Sequence, residues 1–297
     1  MIFLNNVRLR LFIGAALISL SPVWVRLTDV SPSVSGFYRV FFGGAALVIF
    51  LLLTRKRLQF SKQAWWLLIL AAVFFMLDLW FWHRSIFYIG PGLSTLMANF
   101  QVFFMMLAGM LFLRQMPTPM QMVAVPLALF GLSLIVGFDW SGLSKDYQLG
   151  IIFGVLTAVT YAGYLLFLRQ ARVGSQYRVP TRELAVISVL AMAMLAVSIL
   201  IEGESFAIPG YKDLGWLVAY GVLSHCIGWL FIASSLSEVS TVEAGLALLL
   251  QPTLSFVWDV LIFDRQMATA EFVGAGIALS AIYLGFRSPS KQVQGTL

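Results

Sequence analysis

The chain has 297 residues, of which 60% are hydrophobic and 11% charged, and its mean hydropathy is +0.91. A soluble domain devotes about 25% of its residues to charge, so a water-facing globular surface is excluded and the bilayer must be the solvent. The net charge of +6 does not point to nucleic acid, because the basic residues lie between apolar runs and form no basic face studded with aromatics.

A helix crosses about 30 Å of hydrocarbon with roughly 20 mostly apolar residues. Such runs are predicted at residues 11–27, 33–53, 64–85, 92–113, 118–137, 148–168, 183–201, 214–235, 241–262 and 268–286. Barrel strands are about ten residues of alternating polarity, whereas these runs are longer and apolar on every face. The expected fold is therefore an all-α membrane protein with ten transmembrane helices in a single membrane domain, residues 1–297.

Arg8 and Arg10 precede the first run, which continues to Val25 with no small-residue cleavage site, as in an uncleaved first span. Within it, Ser19-Leu20-Ser21-Pro22 predicts a bend, since Pro22 breaks the helical ladder and a serine can re-satisfy the freed carbonyl. The second span carries Tyr38 and Arg39, and the third Asp78, Trp82, His83 and Arg84. An ionisable group inside a span is costly unless it is paired or faces water, so each is a functional candidate. At about 1.5 Å per residue, Arg39 and Asp78 lie at similar depths on neighbouring spans. They can form a structural salt bridge, or Arg39 can engage an anionic substrate group while Asp78 gates or takes a proton. His83 and Arg84 are expected at the headgroups or an aqueous vestibule.

Asn99 and Gln101 fall near mid-bilayer in the fourth span, as Gln251, followed by Pro252, does in the ninth. Their alternative role is to join helices by hydrogen bonds. Gly150 and Gly154 in the sixth span, and Gly274 and Gly276 in the tenth, permit close helix contact. His225 lies mid-way along the eighth span. Imidazole titrates near neutral pH, so His225 and Asp78 are the proton-coupling candidates, against a plain hydrogen-bonding role for the histidine. Trp65, Trp66 and Trp216 sit at span ends, as in an interfacial belt. Trp24, Tyr38, Trp80, Trp82, Tyr161, Tyr164, Trp229 and Trp258 could wall a partly hydrophobic cavity or simply supply packing bulk.

Cys226 has no intrachain disulfide partner, and no Cys/His cluster has metal spacing. No cofactor is predicted. A P-loop, HExxH and GxSxG are all missing from the sequence, so ATP-driven pumping and these hydrolytic chemistries have no motif to carry them.

Orientation follows from Lys and Arg in the connections. With the N-terminus inside, Arg8, Arg10, Arg55, Lys56, Arg57, Lys62, Arg114, Arg169, Arg172, Arg178, Arg182, Arg287 and Lys291 are cytoplasmic. Only Arg26, Arg84, Lys145, Lys212 and Arg265 lie outside. The bias predicts both termini in the cytoplasm, which requires an even number of spans.

The chain repeats itself. "NFQVFFMMLAGMLFLRQMPTPMQ" in the first half matches "LLQPTLSFVWDVLIFDRQMATAE" in the second, with Gln101 opposite Gln251 and Arg114 opposite Arg265. Two five-helix repeats follow, residues 1–140 and 141–297. Because five is odd, the second enters the membrane upside down, and such inverted repeats place a substrate site near the midplane between halves. Gln101 and Gln251 are then expected on opposing walls of one cavity.

Ten spans in two inverted halves, the Arg in "GFYRVFFGGAAL" and the block ending "FLRQMPTPMQ" resemble the EamA-type drug/metabolite transporter superfamily over nearly the whole chain. The family commonly carries Glu where Gln115 stands, whereas this sequence has Gln there and Asp264-Arg265 in the second half. The resemblance implies secondary transport of amino acids, metabolites or drugs across the bacterial inner membrane.

The expected function is export of amino acids or other amphipathic compounds by alternating access. A proton or another ion is the coupling species, and the assembly is a monomer or a weak homodimer. The alternatives are an importer of a nutrient such as a nucleoside derivative, and a non-transporting intramembrane enzyme or scaffold. The substrate-binding candidates are Trp24, Tyr38, Arg39, Asp78, Trp82, Asn99, Gln101, Tyr161, Tyr164, His225, Trp229 and Gln251.

Overall fold

The computed structural model describes residues 6–55, 58–136, 144–173, 175, 179–263 and 269–287. Every regular element among them is helical. Seven helices are long and apolar enough to cross a membrane: α1 (Val7–Leu27), α2 (Pro32–Leu53), α3 (Lys62–Ile89), α6 (Lys145–Arg172), α7 (Thr181–Glu202), α8 (Tyr211–Leu236) and α9 (Thr241–Phe263). Three further apolar segments complete ten: α4 (residues 94–113, whose regular part is Gln101–Leu113), α5 (Pro119–Val136) and α10 (Thr269–Arg287). The expected division between residues 140 and 141 lies outside the described residues.

Helical residues run unbroken from Lys62 to Ala98, yet this stretch is not one rod. Ser94 Oγ lies 3.4 Å from the Trp82 carbonyl, twelve positions back, where a straight helix would place them about 18 Å apart. The chain therefore turns back between Trp82 and Ser94, so α3 and α4 are neighbours.

Packing follows the repeat. α2 lies against α7, α4 against α9 and α5 against α10, each a helix facing its own counterpart. α1 packs on α8 and α3 on α6, two contacts that exchange when the halves are interchanged. Five spans per half is an odd number, so the second half is inverted. The helix breaks repeat as well: α4 is interrupted at Asn99–Phe100 and α9 at Leu249, in each case just before the repeat-related glutamine.

Small residues set the closest approaches. A Cβ on Gly131 of α5 would lie 2.6 Å from both the Gly274 carbonyl and the Ala278 nitrogen of α10. One on Gly43 of α2 would meet the Gly221 carbonyl of α8 at 2.6 Å. At these positions backbones touch, and only glycine fits.

The end of the bundle that holds the N-terminus is sealed by polar bonds between elements. Arg10 pairs with Glu238 at 2.6 Å and Arg8 with Glu243 at 3.1 Å. Arg169 donates to the Leu236 and Val239 carbonyls, both at 2.9 Å. Gln115 Oε1 accepts from both the backbone and the hydroxyl of Thr241, at 3.0 and 2.9 Å. Around the perimeter, Leu53, Phe112, Val123 and Ile201 are exposed, as lipid-facing side chains should be.

Candidate functional site

A cavity of about 510 Å³ of atom-free space, including space open to the exterior, lies among α1, α2, α3, α4, α6, α8 and α9. Its wall is built largely from residues four apart on one helix: Ile18 and Pro22 on α1, Asp78 and Trp82 on α3, and Thr95 and Asn99 on α4. Thr157 and Tyr161 on α6 and Gln251 and Ser255 on α9 continue the pattern. Side chains at i and i+4 share a helix face, so each helix offers one short stripe. Arg39 of α2 and Trp229 of α8 close the wall. Thr95 and Asn99 lie near the start of α4 and Arg39 is the eighth residue of α2, helices that start opposite the N-terminal end, so the cavity is displaced away from the sealed end.

Besides the interruption of α9 at Leu249, three helices depart from regular geometry beside it. α1 breaks at Ser19–Leu20 and resumes at Ser21 with Pro22 in its first turn, as the sequence predicts. The break is held between neighbours: Ser255 donates to the Ser19 carbonyl and Trp258 to the Ser19 hydroxyl, both at 2.7 Å. α4 breaks at Asn99, and α8 widens to π-helical turns over Tyr220–Gly228. Non-helical backbone at membrane depth is tolerated where it borders a cavity or is buried in protein.

Arg39 and Asp78 both line the cavity but do not form an ion pair, which corrects the salt-bridge expectation. The Arg39 Nη1 donates to the Tyr220 hydroxyl at 3.0 Å, and its charge lies 5.1 Å from the centre of that ring and 5.8 Å from that of Phe75. The ring faces take the place of a counter-ion by cation–π attraction. Asp78, 8% exposed, makes no hydrogen bond or ion pair with another described residue. A guanidinium and a carboxyl group thus face one space without bonding to each other.

Seven of the twelve candidate residues line this space: Arg39, Asp78, Trp82, Asn99, Tyr161, Trp229 and Gln251. The other five do not. Trp24 stacks on Trp216 and donates to Ser224 at 3.1 Å. Tyr38 donates to the Phe206 carbonyl at 2.6 Å. Tyr164 is buried against Phe75 and Trp229. Gln101 is fully buried away from the cavity with both amide atoms unpartnered, so the two repeat-related glutamines do not face each other across one space. Gln251 alone reaches it, donating to the Tyr161 hydroxyl at 3.3 Å.

His225 is also outside the wall. The Ser188 hydroxyl donates to the Leu184 carbonyl at 2.7 Å, so its oxygen accepts from His225 Nε2 at 2.8 Å. That fixes the Nε2–H tautomer and leaves Nδ1 without a partner. His83, expected in a vestibule, is instead 2% exposed against Gly36, with Nδ1 bonded to the Leu79 carbonyl at 2.7 Å. Arg84 pairs with Glu202 at 2.6 Å and stacks over Trp80. Trp216, expected in the interfacial belt, packs on Trp24.

The sequence matches one family twice, over residues 8–137 and again over residues 148–287, each match covering one half: the EamA-like transporter family. The chain belongs to that family. Its members are membrane transporters of small molecules, which places this multi-pass protein among membrane transporters. No curated protein matches the sequence significantly. A solved crystal structure is similar with a TM-score of 0.79 over 94% of this chain and 96% of the other, at 18% identity. At that identity the likeness shows the fold alone.

Proposed function

We propose that this EamA protein exports amino acids or other amphipathic metabolites across the bacterial inner membrane, by alternating access of its halves, residues 1–140 and 141–297, around the central cavity. The observation that carries the reading is the unpaired placement of Arg39 and Asp78. Arg39 and Asp78 share a cavity whose wall combines apolar surface from Ile18, Pro22, Trp82 and Trp229 with polar groups such as Asn99, Thr157, Gln251 and Ser255. Holding ionisable groups at membrane depth without an ion-pair partner is costly, and a ligand with a carboxylate, an apolar body and a polar head offsets that cost. Coupling to a proton falls to Asp78 or His225, of which Asp78 reaches the cavity. The protein works as a monomer or a weak homodimer, with both termini in the cytoplasm.

In that orientation the cavity, displaced from the sealed N-terminal end, lies toward the outside. An outward-placed cavity also favours a second reading, uptake of a nutrient such as a nucleoside derivative. Counterflow of radiolabelled leucine and of a nucleoside in proteoliposomes separates the two. Leucine exchange supports the first reading, nucleoside exchange alone supports the second, and exchange of neither removes both.

A further inference from the structure

One part of the cavity wall presents hydrogen-bond acceptors, beside donors such as Arg39, the Trp82 ring N–H and the Tyr161 hydroxyl elsewhere on it. Asn99 Nδ2 lies 2.6 Å from the Thr95 carbonyl. A carbonyl can only accept, so the nitrogen must face it and Oδ1 is left for the cavity. Thr157 donates its single hydroxyl proton to the Phe153 carbonyl at 2.8 Å, and Ser255 donates its own to the Ser19 carbonyl at 2.7 Å. Both hydroxyls therefore present lone pairs. Asp78 adds a carboxylate. These acceptors come from four helices, α3, α4, α6 and α9, and all border one space. Among the charged groups only Arg39, on α2, donates.

An acceptor wall that includes a negative charge suits a positive group with several N–H bonds, and it opposes a carbonyl or carboxylate in the same place. We infer that this wall seats a primary ammonium group of the substrate, and that Asn99 is a specificity-determining residue for it. Asn99 earns that role because its backbone bond holds one amide orientation, so Oδ1 cannot turn into a donor for a keto or hydroxy analogue. Asn99 is also the residue at which α4 breaks, which places the acceptor where the helix ladder is already interrupted. The inference rests on the amino-acid reading above: Arg39 takes the carboxylate, and the acceptor wall takes the amine.

The test is calorimetric titration of the full-length protein in detergent with leucine, its α-keto acid and isopentylamine. A site built to bond an N–H rejects an analogue lacking it by large factors. The α-keto acid should bind at least about 100-fold more weakly than leucine, while isopentylamine, which keeps the amine and lacks the carboxylate, retains measurable binding. Asn99→Leu should narrow the ratio of leucine to keto-acid affinity by about ten-fold or more, with its unliganded melting temperature reporting that it is folded. Should that variant not fold, the wild-type ratio decides alone. Equal binding of leucine and its keto acid overturns the amine seat and leaves the amino-acid reading standing. No binding of any of the three overturns both. Stabilisation by sodium chloride over choline chloride, with the keto acid then binding as well as leucine, assigns the wall to a metal ion and overturns the inference.

Discussion

Arg10 Nη2 stands 2.6 Å from Glu238 Oε1, tying the first turns of α1 to the α8–α9 connection across the two halves. The Arg10 side chain is 6% exposed and that of Glu238 43%, so the guanidinium is desolvated while its partner keeps contact with water. Removing the carboxylate leaves a buried cation short of an acceptor. Glu238→Gln should cost about 1–3 kcal/mol, read in thermal unfolding. Replacing both partners by apolar residues, Arg10→Met with Glu238→Leu, should cost less than the sum of the single changes. Strict additivity would show that the pair does not latch the N-terminal end.

Gly131 and Gly276 lie on helices that pack together, yet they should respond in opposite ways. A methyl group on Gly131 meets backbone atoms of α10 at 2.6 Å, which cannot swing aside, whereas nothing lies within 4 Å of one on Gly276. Gly131→Ala should destabilise by about 1–3 kcal/mol through overpacking. Gly276→Ala should be neutral or stabilising by up to about 1 kcal/mol. Melting temperatures of the two variants in one detergent make the comparison.

The spans were legible because each is a long apolar run punctuated by Pro, Gly or charge, and the bilayer fixes its length. The partners of buried polar groups were not, because they come from distant helices. Arg39 finds Tyr220, 181 positions away, and His225 finds Ser188 on another span. His83 looked like a vestibule residue because it stands near a span end, but Gly36 makes room for its ring inside. Gln101 and Gln251 each follow shortly after a helix break, yet only Gln251 lines the cavity. The cavity lies off-centre, so equivalent residues meet different surroundings. Thr157, Ser255 and Thr95 went unnoticed although each is four positions from a residue that was singled out, and the helix-face rule would have found them.

If Arg39 and Asp78 hold opposite ends of a substrate, each is needed for transport and neither for folding by pairing with the other. Arg39→Ala and Asp78→Asn should each lower leucine counterflow at least about ten-fold, the loss of one charge-assisted hydrogen bond, while both variants still insert. Arg39→Lys should remain impaired, because an ammonium lacks the planar fork that grips a carboxylate. Full activity in the Arg39→Ala, Asp78→Asn double variant would reduce the two residues to packing.

Proton coupling separates Asp78 from His225. A coupling group must exchange its proton with the space that carries the substrate. Asp78 borders that space, whereas His225 is 1% exposed behind it, with Nε2 committed to Ser188. Transport in proteoliposomes should therefore lose its pH dependence in Asp78→Asn. His225→Gln keeps an N–H for Ser188 and should retain the shape of the profile. The reverse outcome, a flat profile in His225→Gln and an unchanged one in Asp78→Asn, would assign the proton to the imidazole and require a path from its unpartnered Nδ1 to the cavity.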